Sequence, residues 1–143
     1  MIGGKLTAAQ LRRVQKALGT VPFAQLLAIE LQDVASGTAT LVLKVRKELT
    51  QNHGVVHGGA IASLIDTATA FAIISVLPQR EKVTTVDLTI SYLRPVIGGQ
   101  LKAVAKLVRS GRRLFTVSAD VFDSDGKLVA TALSTYIKLI PSA

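Results

Sequence analysis

The 143-residue sequence contains no cysteine and no tryptophan. Without cysteine there is no disulfide framework, no thiol nucleophile and no Cys-ligated zinc or iron–sulfur site. The two histidines, His53 and His57, stand four residues apart and are too few for a His-rich metal cage. Aromatic residues make up only 4%, so a base-stacking surface has little to be built from. Acids are the scarcer charge, 9 against 17 Lys and Arg, which leaves a formal net charge of +8. Residues 1–29 carry Lys5, Arg12, Arg13 and Lys16 with no acid. Residues 88–119 carry Arg94, Lys102, Lys106, Arg109, Arg112 and Arg113, again with no acid. Such a balance favours an acidic partner. A metabolite bearing several phosphates fits it, and the low aromatic content argues against nucleic acid.

One stretch has the length of a membrane span. Residues 58–77 form a nearly uncharged run of 20. Asp66 lies near its middle, where a carboxylate costs roughly 3 kcal/mol in a bilayer. The run is also rich in Gly, Ala, Ser and Thr rather than Leu or Phe. It reads as a buried helix, not a membrane segment. Met1 to Lys5 lacks the charged start and long apolar run of a cleaved leader, so a cytoplasmic location is expected.

What the chain does have is core-forming material. Hydrophobic residues are 49% and charged residues 18%, enough for one domain with one core. Thr7 to Leu18 reads as a helix, with Thr7 as N-cap, Gln10 three residues on, Gly19 at the end and an apolar stripe of Leu11, Val14 and Leu18. A short helical turn is expected over 23–27 after Pro22. A hairpin follows, about 28–35 and 38–46, turning at Ser36-Gly37. A polar loop, 47–57, precedes the apolar helix, which runs from Gly58 to Leu77 before Pro78. Extended runs then cover about 83–93, 100–110, 112–123 and 127–140. The expected class is α+β with a mostly antiparallel sheet. The central helix is too apolar for a surface. It has to be covered on nearly all sides; a single strongly curved sheet could wrap it, and a second copy of the chain could cover what the sheet leaves open.

The chemistry concentrates in residues 51–66, Gln-Asn-His-Gly-Val-Val-His-Gly-Gly-Ala-Ile-Ala-Ser-Leu-Ile-Asp. His57-Gly58-Gly59 stands at the start of the helix, where free backbone N–H groups carry partial positive charge. Two glycines let another group approach those N–H groups, a suitable place for a carbonyl oxygen gaining charge. Alternatively, the glycines serve only tight packing. Asp66, inside an apolar helix, is costly unless paired or functional. It is either a structural acid bonded to Ser63, Thr67 or Thr69, or a general base or nucleophile in a partly dry cleft. Gly58 and Asp66 are eight residues apart, about 12 Å along a helix, too far to share one reacting group within one chain. In a two-fold dimer with antiparallel central helices, Asp66 of one subunit would face Gly58 of the other.

These residues resemble the hotdog-fold acyl-CoA thioesterases, and most of all the phenylacetic-acid-degradation type. That pattern is a polar amide, then G-x-x-H-G-G (Gly54 to Gly59), then Asp nine residues after the His. Thr85-Val86-Asp87-Leu88-Thr89-Ile90-Ser91-Tyr92-Leu93-Arg94-Pro95 is similar to the family's strand after the central helix. Ser110 to Leu114, with Asp125 to Ala130, is similar to its last hairpin. The likeness covers about residues 28 to 140, and implies a hotdog domain over 28–143 behind an N-terminal helical segment, 1–27.

The resemblance implies a role for each matching residue. Asp66 activates water or attacks the thioester carbonyl, the Gly58 N–H polarises that carbonyl, and His57 shapes the pocket. Thr85 comes from the same subunit as Asp66 and assists the water. Gln51 stands where this type usually has Asn and related hydroxybenzoyl-CoA thioesterases have Gln; Asn52 serves instead if the register differs by one. His53 reads as a loop residue. Ser110, Gly111, Arg112 and Arg113 sit where the family contacts coenzyme A, whose phosphates suit Arg. Arg12, Arg13 and Lys16 read as ordinary surface. The expected activity is hydrolysis of an acyl-CoA by a homodimer, paired into a dimer of dimers, with no metal and no cofactor beyond the CoA of the substrate. The rivals are an acyl-thioester hydratase or dehydratase, disfavoured because His-Gly-Gly leads straight into the helix, and a non-catalytic acyl-CoA sensor.

Overall fold

The computed structural model describes residues 1–140; residues 141–143, at the end of the expected hotdog domain, lie outside the described residues. The chain opens with α1 (Ala8–Gly19), started by a capping box in which the Thr7 hydroxyl and the Gln10 amide satisfy each other's backbone N–H groups. Val14 and Leu18 of its apolar stripe are buried, whereas Leu11 stays exposed. A short α2 (Pro22–Leu27) follows and ends on Ala28 in the left-handed region, φ 57°. That turn delays the first strand by two residues relative to the sequence expectation.

The hairpin is β1 (Glu30–Ala35) and β2 (Thr38–Lys44), joined at Ser36-Gly37 as expected. The loop carries one short helical turn at Lys47–Leu49, and then α3 runs from Gly58 to Ile74. The helix stops three residues short of Leu77 because its last turn is claimed from outside. Ser75 Oγ donates to Ala72 O and accepts from the Gly37 N–H at 2.8 Å. The Arg13 guanidinium donates to Ile74 O at 3.2 Å and Leu77 O at 2.9 Å. Arg13, expected at the surface, is therefore a C-terminal cap. A cation there complements the negative end of the helix and supplies donors to carbonyls that have none within it.

The remaining strands are β3 (Val83–Tyr92), β4 (Gln100–Ser110), β5 (Leu114–Phe122) and β6 (Leu128–Lys138). All pairings are antiparallel, in the order β1-β2-β4-β5-β6-β3. This is the expected α+β class and the hotdog arrangement, one curved sheet around a long helix. Close approach of α3 is made possible by small residues. Ala105, Ala119 and Ala132 pair in one row across β4, β5 and β6, and α3 contributes Ala60, Ala68 and Ala72. Leu64, Ile65 and Ile73 of α3 meet Leu41, Leu43, Leu101, Val117 and Val121 in the core. Each of these large side chains contributes about 1.5–3 kcal/mol of burial. One stripe of α3 escapes full cover: Ala62, Ser63, Asp66, Thr67, Ala70 and Ile74 are only half-buried. The sheet also leaves β3, ten residues long, as an edge strand with Val86 and Tyr92 more than half exposed.

Candidate active site

Asp66 is placed by the fold beside two strands it could not have met through sequence proximity. The Thr85 hydroxyl on β3 donates to Asp66 Oδ1 at 2.9 Å. The Tyr136 hydroxyl on β6 lies 3.0 Å from the same oxygen and 2.7 Å from the Asp66 main-chain carbonyl. Thr85 and Tyr136 are direct partners in the β3–β6 register, so one rung of the sheet delivers both hydroxyls. Among the described residues no partner is found for Oδ2. None of the three hydroxyls expected as structural partners reaches the Asp66 carboxylate, though Thr69 lies 3.1 Å from its main-chain carbonyl. Ser63, Thr67 and Thr69 donate back to helix carbonyls at Gly59, Ser63 and Ile65. A carboxylate held by one oxygen, with the other free in a half-dry setting, can take a proton or attack a carbon.

Tyr136 is the residue that sequence reasoning missed. It carries no motif signal, since it lies in an alternating strand like any core aromatic. Only its buried hydroxyl, also 2.8 Å from Thr69 Oγ1, distinguishes it. Burial pushes its phenol well above the ordinary value, with the Asp66 charge adding to the shift and the Thr69 hydrogen bond opposing it. It therefore stays protonated, a hydrogen-bond donor.

The start of α3 is built differently. His57 is the N-cap, its Nδ1 accepting from the Gly59 N–H at 2.8 Å. A Cβ on Gly59 would come within 2.9 Å of that nitrogen, so the cap requires glycine. The Tyr92 ring lies against Gly58, 3.3 Å from where a Cβ would stand, and its hydroxyl donates to Gly58 O at 2.9 Å. The packing role considered for the glycines is thus present at both. The Gly58 N–H, in contrast, finds no acceptor among the described residues. Gly58 opens on a cleft of about 340 Å³ shared with Gln51, Ile61, Tyr92, Arg94 and Val96.

The other expected residues divide around this turn. Gln51 lines the Gly58 cleft, while Asn52 and His53 occupy the exposed tip of a tight turn closed by Gln51 N–H to Val55 O. Of the two amides, Gln51 is the one that borders the cleft at Gly58. His57 lines a second cleft of about 290 Å³ with Phe23, Leu27, Leu49, Ala60 and Ser63. Ser110, Gly111, Arg112 and Arg113 form the exposed β4–β5 turn. Ser110 pairs with Phe115, Phe115 with Tyr136 and Tyr136 with Thr85, so the basic turn and the Asp66 hydroxyls share one end of the sheet. Three strand spacings separate Ser110 from Thr85, about 14 Å. Gly58 and Asp66 remain two helical turns apart within the chain.

The family model described as Thioesterase superfamily matches residues 53–130, from the loop before α3 into β6. The chain is 27% identical to the medium/long-chain acyl-CoA thioesterase YigI of Escherichia coli K12 over 82% of its own length and 85% of that protein. The crystal structure of a thioesterase family protein from Silicibacter pomeroyi superposes with a TM-score of 0.85 at 26% identity, covering 92% of this chain and 99% of that one. The PaaI protein of the E. coli phenylacetic acid degradation operon shares the fold, with a TM-score of 0.87 at 24% identity over 96% and 99% of the two chains.

Proposed function

The chain belongs to the thioesterase superfamily, and from that premise we propose that it hydrolyses an acyl-CoA thioester to a carboxylate and free coenzyme A. The observation that carries the reading is Asp66, an acid on an apolar helix anchored through Oδ1 alone. Oδ2 takes a proton from water as the water oxygen bonds to the thioester carbon, or attacks that carbon itself. The C–S bond then breaks; in the first case the coenzyme A thiolate takes the proton held by Asp66, and in the second a water hydrolyses the acyl–Asp66 anhydride, restoring the carboxylate, releasing the acid and supplying the proton for the thiol. The Gly58 N–H receives the carbonyl oxygen as it gains charge, assisted by the positive end of α3. Gln51 borders the same cleft, and His57 holds the turn in shape by capping it. No metal or organic cofactor enters these steps.

The acid and the amide belong to one site only if two chains contribute. Asp66 turns toward β3, the long open edge of the sheet, and the half-buried stripe of α3 around it faces the same need for cover. A second copy brings its Gly58 cleft to this acid, forming a shared site in a homodimer, which pairs further into a dimer of dimers. Arg112 and Arg113, at the same end of the sheet as the Asp66 hydroxyls, take the phosphates of coenzyme A, with Ser110 and Gly111 beside them. No helix among the described residues is long and apolar enough to cross a membrane, and the proposed setting is the cytoplasm.

The test is release of free CoA from a panel of acyl-CoAs, followed with a thiol reagent. Wild type releases CoA, and Asp66→Ala lowers kcat by at least about 100-fold, the effect of removing a catalytic base. Equal turnover by both removes Asp66 from the reaction. Tight acyl-CoA binding with no release identifies a sensor instead. Asp66→Ala and Gly58→Pro subunits, each inactive alone, regain part of the activity in verified heterodimers, since one of the two sites is then intact. No recovery there refutes the shared site.

A further inference from the structure

We propose that Tyr136 is a positioning residue for Asp66: its hydroxyl, backed by Thr69, fixes Oδ1, follows the change in charge of the carboxyl group and so presents Oδ2 to the reacting carbon or water. The inference rests on Asp66 being the reacting acid. Each hydroxyl in the cluster has one proton to give. Thr85 gives its proton to Oδ1. Tyr136 has two acceptors on the same residue, Oδ1 at 3.0 Å and the main-chain O at 2.7 Å, and a third in Thr69 Oγ1 at 2.8 Å when Thr69 gives its own proton to a helix carbonyl. Thr69 has three choices, the Tyr136 oxygen at 2.8 Å, Ile65 O at 3.0 Å and Asp66 O at 3.1 Å.

The cluster therefore answers a change of charge by turning O–H bonds, with no heavy atom moving. While Asp66 is ionised, the Tyr136 proton points to Oδ1 in a charge-assisted bond. Once Asp66 has taken a proton or carries the acyl group, the same proton turns to the main-chain carbonyl. A donor already aimed at the site of charge change needs no reorganisation during the reaction. Bulk alone does not call for this hydroxyl. The cross-strand neighbour Phe115, equally buried, fills the adjoining position on β5 with a ring that has no polar atom.

The experiment measures CoA release by the full-length protein as wild type, Tyr136→Phe, Asp66→Asn and the double variant. Tyr136→Phe is expected to lower kcat about 10–100-fold, the weight of one charge-assisted bond, with KM changed less than about threefold because binding is untouched. In the Asp66→Asn background the same substitution costs less than about twofold, since Tyr136 acts through the acid. Wild-type kcat in Tyr136→Phe, or an undiminished loss in the Asn background, overturns the proposal. If Tyr136→Phe does not fold, Thr69→Val removes the backing hydroxyl. It should lower kcat about 3–10-fold at constant KM and lose its effect in the Asn background, and an unchanged kcat overturns the proposal. Full activity in Asp66→Asn sinks the reading of the site and this inference with it. A dead Asp66→Asn beside a fully active Tyr136→Phe sinks only the inference.

Discussion

The two ends of α3 answer the same physical problem in opposite ways. Every helix leaves unpaired N–H groups at its start and unpaired carbonyls at its end. At the C-terminal end Arg13 reaches over from α1 to Ile74 O and Leu77 O, and Ser75 ties the last turn to Gly37. At the N-terminal end His57 caps Gly59 and Tyr92 holds the carbonyl of Gly58, yet the Gly58 N–H itself has no acceptor among the described residues and stands beside an open cleft. One end is closed by long-range donors, and the other is braced on both sides with one donor spared. A sealed end serves the fold, and a braced but open end keeps a donor that a ligand could use.

Substitutions at each end can break this contrast. The largest effect belongs to Gly58→Pro compared with Gly58→Ala. Proline is accepted at the first position of a helix, where its missing N–H had no intrahelical partner. Both variants must displace the Tyr92 ring slightly, so their ratio isolates the N–H. kcat should be about 100-fold lower in the proline variant than in the alanine one, and equal rates would remove the amide from the chemistry. At the sealed end, Arg13→Ala should cost about 1–2 kcal/mol in urea unfolding, through two carbonyls left short of donors and a lost charge at the helix terminus. Its kcat at 25 °C should stay within about twofold of wild type, because the lesion is remote from the chemistry. A large loss of kcat with unchanged stability would make the two ends alike. The smallest effect is expected for Tyr92→Phe, which removes only the bond to Gly58 O. A two- to threefold fall in kcat/KM, about 0.5 kcal/mol, measures how much that brace matters.

Much of the fold was readable because it is written in periodicity and punctuation. Thr7 and Gln10 announced a capping box, Ser36-Gly37 a hairpin, and the apolar run after Gly58 a helix that had to be enclosed. Boundaries slipped where a distant group intervened. Arg13 and Ser75 shortened the end of α3, and the left-handed turn at Ala28 delayed β1. Asp66 and Gly58 were legible as candidates because an acid in an apolar helix and paired glycines at a helix start are locally anomalous, whereas Thr85 was named only through the family resemblance. Tyr136 was not legible, for a tyrosine in an alternating strand resembles any core residue until its hydroxyl is seen beside a carboxylate.

By itself the sequence determined which residues could bear charge, cap a helix or line a core, because those properties belong to single side chains and their near neighbours. Tertiary structure decided which of them meet. Tyr136 and Asp66 are 70 residues apart, and Arg13 and Leu77 are 64 apart. Such pairs come together only through strand register and the docking of α1, which balance the burial of the whole core against the geometry of every rung.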